Sequence, residues 1–106
     1  MRRGEVWWVN CDPSVGSEMR KRRPGVILSN DGANARATRV QIALMSSSIK
    51  TVRPYETLVT VGGKTSKVMA DQLTTMSKLR VGGKLGRVSA EELTAVEDIV
   101  RIQLGL

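Results

Sequence analysis

Short apolar segments separated by turn residues fill most of the chain. Val40, Ile42 and Leu44 alternate with polar residues, the period-two pattern of a strand with one buried face. Segments rich in β-forming residues recur before and after it, bounded by Gly, Pro, Asn, Asp and Ser. The pattern predicts strands over residues 5–10, 25–30, 38–46, 56–61 and 67–72, with a short extended segment over 85–88.

The period changes near the C-terminus. Ser89 followed by Glu92 forms a capping box, the usual start of a helix. Apolar residues then recur at spacings of three and four, which places them on one helical stripe. We therefore predict an amphipathic helix over 90–104, with the stripe formed by Leu93, Val96, Val100 and Leu104.

Glycine pairs and polar loops set the connections. Gly62-Gly63 and Gly82-Gly83 are each predicted to be hairpin turns, and residues 33–36 a single helical turn. The 106 residues suffice for one small core, so the expected organisation is a single domain over 1–106. Short strands followed by one helix predict a mainly β fold, a small curled sheet or barrel capped by that helix.

The charge is large and unevenly spread. The chain has 17 Lys and Arg against 10 Asp and Glu, and residues 1–88 carry a net +10 while residues 89–106 carry −3. This balance favours a polyanionic partner, most simply nucleic acid, although acidic protein segments and anionic lipid stay open. One cysteine, no signal-peptide pattern and no apolar run of about 18 residues predict a cytoplasmic protein with no membrane segment.

The basic run that ends at Pro24 is the main candidate for a phosphate site. Arg20, Lys21 and Arg22 are expected in a loop, and Pro24 favours an extended Arg23 at the start of the next strand. A guanidinium fixed beside a basic loop suits phosphate oxygens. The ordinary alternative is a solvated charged loop.

Residue types that are absent narrow the chemistry. The chain has no histidine and one cysteine, which excludes imidazole-based ribonuclease and triad chemistry and ordinary zinc sites. Arginine, hydroxyls and isolated carboxylates remain. They suffice to cut RNA, because the 2′-hydroxyl of the substrate attacks the adjacent phosphate. We assign phosphate stabilisation to Arg23, a hydrogen bond to phosphate to Ser46, and proton acceptance to Glu18, which alternatively forms a surface ion pair.

The aromatic residues include candidates for stacking on RNA bases. Trp7 and Trp8 must face opposite sides of the first strand, so one is expected in the core and the other at an interface or stacked on a base. Tyr55 follows a loop proline and is a candidate stacking platform. Tyr55 belongs to a second polar loop, which follows the third predicted strand. The RNA-contacting residues expected in this second loop are Ser47, Ser48, Lys50, Arg53 and Tyr55.

Several sequence blocks resemble one family. RGEVWWV at 3–9, DP-x-x-GSE at 12–18, RRPGVILSND at 22–31 and ALMS at 43–46 are similar to the MazF/PemK (Kid-like) toxins of bacterial toxin–antitoxin systems. ADQL at 70–73 and LGRVSAEELTAV at 85–96 extend the resemblance over nearly the full length.

The resemblance implies a strongly bent, Src-homology-3-like β-barrel with a C-terminal helix, assembled as a homodimer. It implies a sequence-specific endoribonuclease that needs no metal or cofactor and cuts single-stranded RNA, chiefly mRNA, to leave a 2′,3′-cyclic phosphate and a 5′-hydroxyl. Arg23, Ser46 and Glu18 fall on the family's arginine, hydroxyl and glutamate positions. A cognate antitoxin with an acidic C-terminal segment is the implied protein partner.

Two residues depart from the family pattern. Ser46 replaces the commoner threonine, and Met19 stands where glutamine is common. The alternative function is a non-catalytic binding module on the same barrel, acting on RNA or on a protein such as gyrase. A third, a basic ribosome-associated protein, ranks lowest.

Overall fold

The computed structural model describes residues 1–12, 16 and 21–106. Within them, six strands form one antiparallel sheet, and the longer of two α-helices closes it. The strands are β1 (Glu5–Asn10), β2 (Arg22–Ile27), β3 (Arg39–Ser46), β4 (Glu56–Val61), β5 (Lys64–Ser77) and β6 (Val81–Arg87). Helix α1 spans Asp31–Arg36, α2 spans Ala90–Leu104, and a 3₁₀ helix spans Lys78–Arg80.

The strand order β4-β5-β3-β2-β1-β6 places β2 and β3 at the centre of the sheet. The sheet curls until its two edge strands approach each other. A Cβ at Gly86 would lie 2.8 Å from Val61 Cγ1, so β6 can come this close to β4 only with glycine there. The predicted fold, mainly β and strongly bent with a C-terminal helix, is confirmed. In the described part of the chain no helix is long and apolar enough to cross a membrane.

Alternation along the strands divides the core into two clusters. One lies between the curled sheet and α2, and the other lies on the opposite face of the central strands. The first contains Val6, Val26, Ala43, Met45, Val59, Val68, Ala70, Val88, Val96 and Ile99. The second contains Val9, Cys11, Ile27, Val40, Ile42, Leu44, Met69 and Val81. Successive residues of one strand thus serve different clusters.

Strand β3 begins one residue later than predicted and β6 covers Val81–Arg87 instead of 85–88, but β2 and β5 differ from the predicted strands most. Strand β2 begins at Arg22 and ends at Ile27, whereas the prediction was 25–30, because Asn10 and Val9 of β1 pair with Arg22 and Arg23. Strand β5 runs over Lys64–Ser77, far beyond the predicted 67–72. Strand β5 pairs with β4 through residues 64–69 and with β3 through residues 67–77. The β3–β5 pairing shifts register between Ala43 and Met45 of β3.

The predicted hairpin turn at Gly82-Gly83 is wrong. Both glycines lie inside β6, where the pairing with β1 shifts register around Trp7. Local glycine content resembles a turn, but here it allows an irregular strand to pack against a bulky neighbour. The Gly62-Gly63 turn between β4 and β5 is confirmed, with φ of +60° and +77°.

Helix α2 begins and ends where its caps predict. Ser89 and Glu92 form the predicted capping box, and Gly105 ends the helix at φ +71°. The second carboxylate oxygen of Glu92 accepts the Thr60 N–H at 2.7 Å, which ties the helix to β4. Burial raises the pKa of Glu92, but these N–H donors outweigh it and hold the pKa below its ordinary value. The apolar stripe is buried at Val96, whereas Leu104 is exposed.

A buried carboxylate joins the two strands at one edge of the sheet. The Glu5 side chain is 8% exposed and its Oε2 lies 2.7 Å from Lys84 Nζ. Its Oε1 accepts the Arg2 N–H at 2.8 Å and the Trp7 indole N–H at 3.1 Å. Burial alone would raise the pKa of Glu5, but Lys84 and these two donors lower it from 4.5 to about 2.

Acid should therefore destabilise the protein through Glu5. A carboxyl whose folded pKa is depressed adds stability above its unfolded pKa, and that stability disappears as pH falls from about 4.5 toward 2. We expect Glu5→Gln to lower the free energy of unfolding at pH 7 by on the order of 2 kcal/mol. The difference from wild type should vanish near pH 2 in urea titrations. A difference that is constant with pH would contradict this assignment.

Candidate nucleic-acid interface

The N-terminal half of β2 positions the predicted phosphate-binding arginine. Arg23 pairs opposite Val9 and Pro24 opposite Trp8 on β1. Pairing of β2 with β3 begins at Gly25, so Pro24 stands just before it, where a missing N–H is tolerated. The half-buried Arg23 shares its face with Val9. Burial raises the pKa of Cys11 on that face, and the Arg23 charge partly opposes this rise.

Arg22 lies over an aromatic ring. Its guanidinium carbon is 4.8 Å from the centre of the Trp8 ring, and Nη2 donates to the Gly82 carbonyl at 3.3 Å. Gly83 has φ +87°, and a Cβ there would lie 3.2 Å from both Arg22 Nη2 and Trp8 Cδ1. The irregular β6 is thus shaped to let arginine and tryptophan stack. Both tryptophans are half-buried: Trp8 lines the cleft described next, while Trp7 packs against the second core cluster.

These side chains stand at a cleft of about 410 Å³. Its walls combine positive charge, two serines and an aromatic ring over an apolar floor, a composition suited to phosphates and bases together. The polar and aromatic lining consists of Trp8, Arg22, Arg23, Ser47, Lys64 and Ser66, and the apolar lining includes Val6, Pro24, Met45, Val61 and Leu85.

Ser46 is the last residue of β3. The β2–β3 register pairs Gly25 with Leu44, and its continuation by two residues on each strand would place Arg23 opposite Ser46. Opposite residues of an antiparallel pair share a face, so the two side chains are directed to the same side of the sheet. Ser46 Oγ accepts the Ser48 N–H at 3.1 Å. The cleft lining includes its neighbour Ser47 and not Ser46.

Four of the remaining predicted residues lie in the segment between β3 and β4. Ser48, Lys50 and Arg53 are exposed in the segment between β3 and β4. Tyr55 is half-buried against the first core cluster, so the fold holds its ring against the barrel rather than on an open loop.

In the first loop the structure describes Asp12, Gly16 and Lys21. Lys21 has φ +62°; its N–H donates to Asp12 Oδ1 at 2.8 Å, and its carbonyl accepts the Cys11 N–H at 2.8 Å. Two predicted site residues, Glu18 and Arg20, lie outside the described residues.

Two lining residues escaped the sequence analysis. Lys64 and Ser66 follow the Gly62-Gly63 turn on the same face of β5, as their spacing of two requires. Period-two alternation could have paired them with each other. It could not show that the β4–β5 hairpin curls over to meet Arg22 and Trp8. Among the described residues, no group of three or more His, Cys, Asp or Glu could hold a metal ion.

Fold and cleft together define a small basic β protein whose cleft, lined by arginine, lysine and serine, is suited to a polyanion. The sequence of residues 2–104 matches the family model of the PemK-like, MazF-like toxins of type II toxin–antitoxin systems. A curated relative, Endoribonuclease MazF9 of Mycobacterium tuberculosis, is 38% identical over 115 residues, covering 100% of this chain and 98% of the relative. Endoribonuclease MazF of Staphylococcus saprophyticus is 31% identical over 111 residues, with 100% and 92% covered.

Solved structures agree in fold. MazF of Deinococcus radiodurans superposes with a TM-score of 0.89 at 26% identity, covering 100% of this chain and 97% of that one. A mycobacterial endoribonuclease solved with its cognate antitoxin gives a TM-score of 0.85 at 21% identity, with 100% and 96% covered. The chain belongs to the PemK-like, MazF-like toxin family.

Cations of the cleft should bind RNA through phosphates. Each phosphate contact releases counterions, so Arg22→Ala and Lys64→Ala should each reduce the slope of log K against log salt by about 0.7 for single-stranded RNA. Fluorescence anisotropy with a labelled oligonucleotide over a salt series measures this slope. Arg101→Ala on α2, whose guanidinium pairs with Asp98, is the control and should leave it unchanged. Equal slopes for all variants would place the RNA elsewhere.

Proposed function

We propose that this chain is the RNA-cleaving toxin of a type II toxin–antitoxin pair, a sequence-specific endoribonuclease that needs no metal. Its family and its relatives named endoribonuclease support the activity. The observation that carries the assignment to a site is the cationic cleft, whose lining includes Arg23 and Ser47, the residue that follows Ser46.

The substrate supplies the nucleophile. The 2′-oxygen attacks phosphorus while its proton passes to a base, and the bond from phosphorus to the 5′-oxygen breaks as that oxygen gains a proton. The products are a 2′,3′-cyclic phosphate and a 5′-hydroxyl. Charge grows on the non-bridging phosphate oxygens, and the Arg23 guanidinium stabilises it. Because arginine stays protonated, Arg23 can donate hydrogen bonds but is unsuited to act as the base.

The Ser46 hydroxyl can donate to a phosphate oxygen. A hydroxyl has one hydrogen to give and two lone pairs to accept with. Its Oγ already accepts the Ser48 N–H, so the hydroxyl hydrogen remains for a phosphate oxygen. Glu18 stays the predicted proton acceptor, and Arg20 a predicted phosphate contact; both lie outside the described residues.

The cleft also suits an acidic protein segment. Arg22 and Lys64 provide the charge that RNA phosphates and carboxylates share as a target, while Val61 and Leu85 provide apolar contact. A mycobacterial neighbour was solved with its cognate antitoxin. The partner proposed here is an antitoxin whose acidic C-terminal segment competes with RNA for this cleft. A homodimer and action in the bacterial cytoplasm, where mRNA is available, complete the proposal.

The test is cleavage of a long single-stranded RNA in EDTA, with new ends mapped by primer extension. We expect discrete cuts that carry 5′-hydroxyls. Arg23→Ala should slow cleavage by about 100-fold or more, as loss of one transition-state donor does elsewhere. Ser46→Ala should slow it less, and Ser46→Thr, which keeps the hydroxyl, should retain activity.

Arg36→Ala is the matched control, because Arg36 is an exposed arginine on α1 that does not line the cleft. Circular dichroism should show every variant folded. Normal cleavage by folded Arg23→Ala would refute the site. Saturable RNA binding without any cut by wild type would favour the non-catalytic binding module.

A further inference from the structure

A nearly buried ion pair lies beside the proposed site. Lys67 Nζ and Glu56 Oε1 are 3.3 Å apart, and their side chains are only 13% and 5% exposed. Lys67 on β5 stands directly opposite Ser46 on β3, and Glu56 is the first residue of β4. Neither side chain lines the cleft.

Both members of the pair also hold the segment 47–55, which joins β3 to β4. Lys67 Nζ donates to the Thr51 carbonyl at 3.1 Å. Glu56 Oε1 accepts the Arg53 N–H at 2.9 Å, and the Glu56 N–H donates to the Arg53 carbonyl at 2.9 Å. The ion pair thus holds the backbone of the segment at Thr51 and at Arg53.

Apolar packing holds this segment at its last residue, Tyr55, whose ring is half-buried against the first core cluster. Upstream of Tyr55 the two large aliphatic side chains, Ile49 and Val52, are 39% and 43% exposed. Among the described residues the segment has no strand or helix of its own. The backbone at Thr51 and Arg53 is instead held by polar contacts from Lys67 and Glu56.

Stability alone is a weak reason for such a pair. Desolvation of two charges offsets much of their attraction, and well-packed apolar replacements are often neutral or stabilising. Loss of one partner is different, because it leaves a buried charge unpaired and costs several kcal/mol. The position of the pair, between Ser46 and the segment that carries Ser47, points to a geometric role.

We propose that Glu56 and Lys67 are positioning residues for the proposed cleavage site. They fix segment 47–55 so that the Ser46 hydroxyl and Ser47 stay aligned with Arg23. The inference rests on the proposed function. Displacement of a reacting group by about 1 Å can slow catalysis about 100-fold, so release of the segment should act on kcat.

The decisive variant is Glu56→Leu/Lys67→Met, which removes both anchors without leaving an unpaired charge. Its kcat in a fluorogenic RNA assay should fall by about 10- to 100-fold, with KM within about threefold of wild type. Glu56→Gln/Lys67→Met keeps an oxygen for the Arg53 N–H, so its kcat should be intermediate. This second variant serves if the first fails to fold.

The control is Arg3→Met/Glu97→Gln, which removes another partly buried pair, joined at 2.7 Å and remote from the cleft. It should keep wild-type kcat even where it lowers Tm. All rates are measured well below the lowest Tm of the set.

Limited trypsin digestion measures how easily segment 47–55 opens, independently of catalytic activity. Cleavage after the exposed Lys50 should accelerate at least about tenfold in the decisive variant, because local opening becomes easier, while other sites keep their rates. Wild-type kcat in either folded double variant, or unchanged cleavage after Lys50, would overturn the positioning role. Absence of RNA cleavage by wild type would instead refute the proposed function, and the trypsin result would still show whether the pair holds the segment.

Discussion

The close approach of β2 to β3 at Gly25 is the constraint on which the site depends. A Cβ at this position would lie 2.3 Å from Ile42 Cγ2 and 3.3 Å from Val9 Cγ2, so no other residue fits without moving a central strand. Gly25 directly follows the Arg23-Pro24 pair and is hydrogen-bonded in register with Leu44. The same contact that closes the core therefore sets how Arg23 lies relative to the end of β3.

Carboxylates in the basic body serve the framework. Glu5 joins β6 to β1 through Lys84, Glu56 joins β5 to the segment before β4, and Asp12 accepts the Lys21 N–H at the base of the first loop. Asp31 accepts the Arg3 N–H, which lowers its pKa. These four carboxylates are thus engaged by partners, and none of them lines the cleft, where Arg22 and Lys64 concentrate positive charge. Within the described part of the chain, the cleft lining therefore presents no carboxylate to repel a polyanion.

Sequence patterns were sufficient for elements whose signals are local. Capping at Ser89 and Glu92 fixed the start of α2, and β-forming residues bounded by turn residues placed β1 and β4 at their observed bounds. Tertiary pairing decided the rest. Arg22 joins a strand because β1 lies beside it, and β5 outruns its apolar core because it pairs with two neighbours.

Local sequence signals likewise predicted only part of the site, because the rest depends on tertiary pairing. Arg23 and Ser46 follow from motif and strand-end position, and the register supports their approach. Lys64 and Ser66 reach the cleft only through the curl of the whole sheet, which no local pattern encodes. The Glu56–Lys67 pair escaped because the two residues meet across strands and belong to no recognisable motif.

In the proposed reaction RNA supplies its own nucleophile, so the protein needs only to stabilise the phosphate through Arg23 and Ser46 and to accept a proton. The most direct test is an oligonucleotide that carries a single 2′-deoxynucleotide on the 5′ side of the mapped cut, compared with the all-RNA strand in EDTA. We predict that the substituted strand binds with similar affinity and is not cut at that bond. Cleavage of the substituted bond would contradict attack by the 2′-hydroxyl and require a nucleophile from the protein or from water.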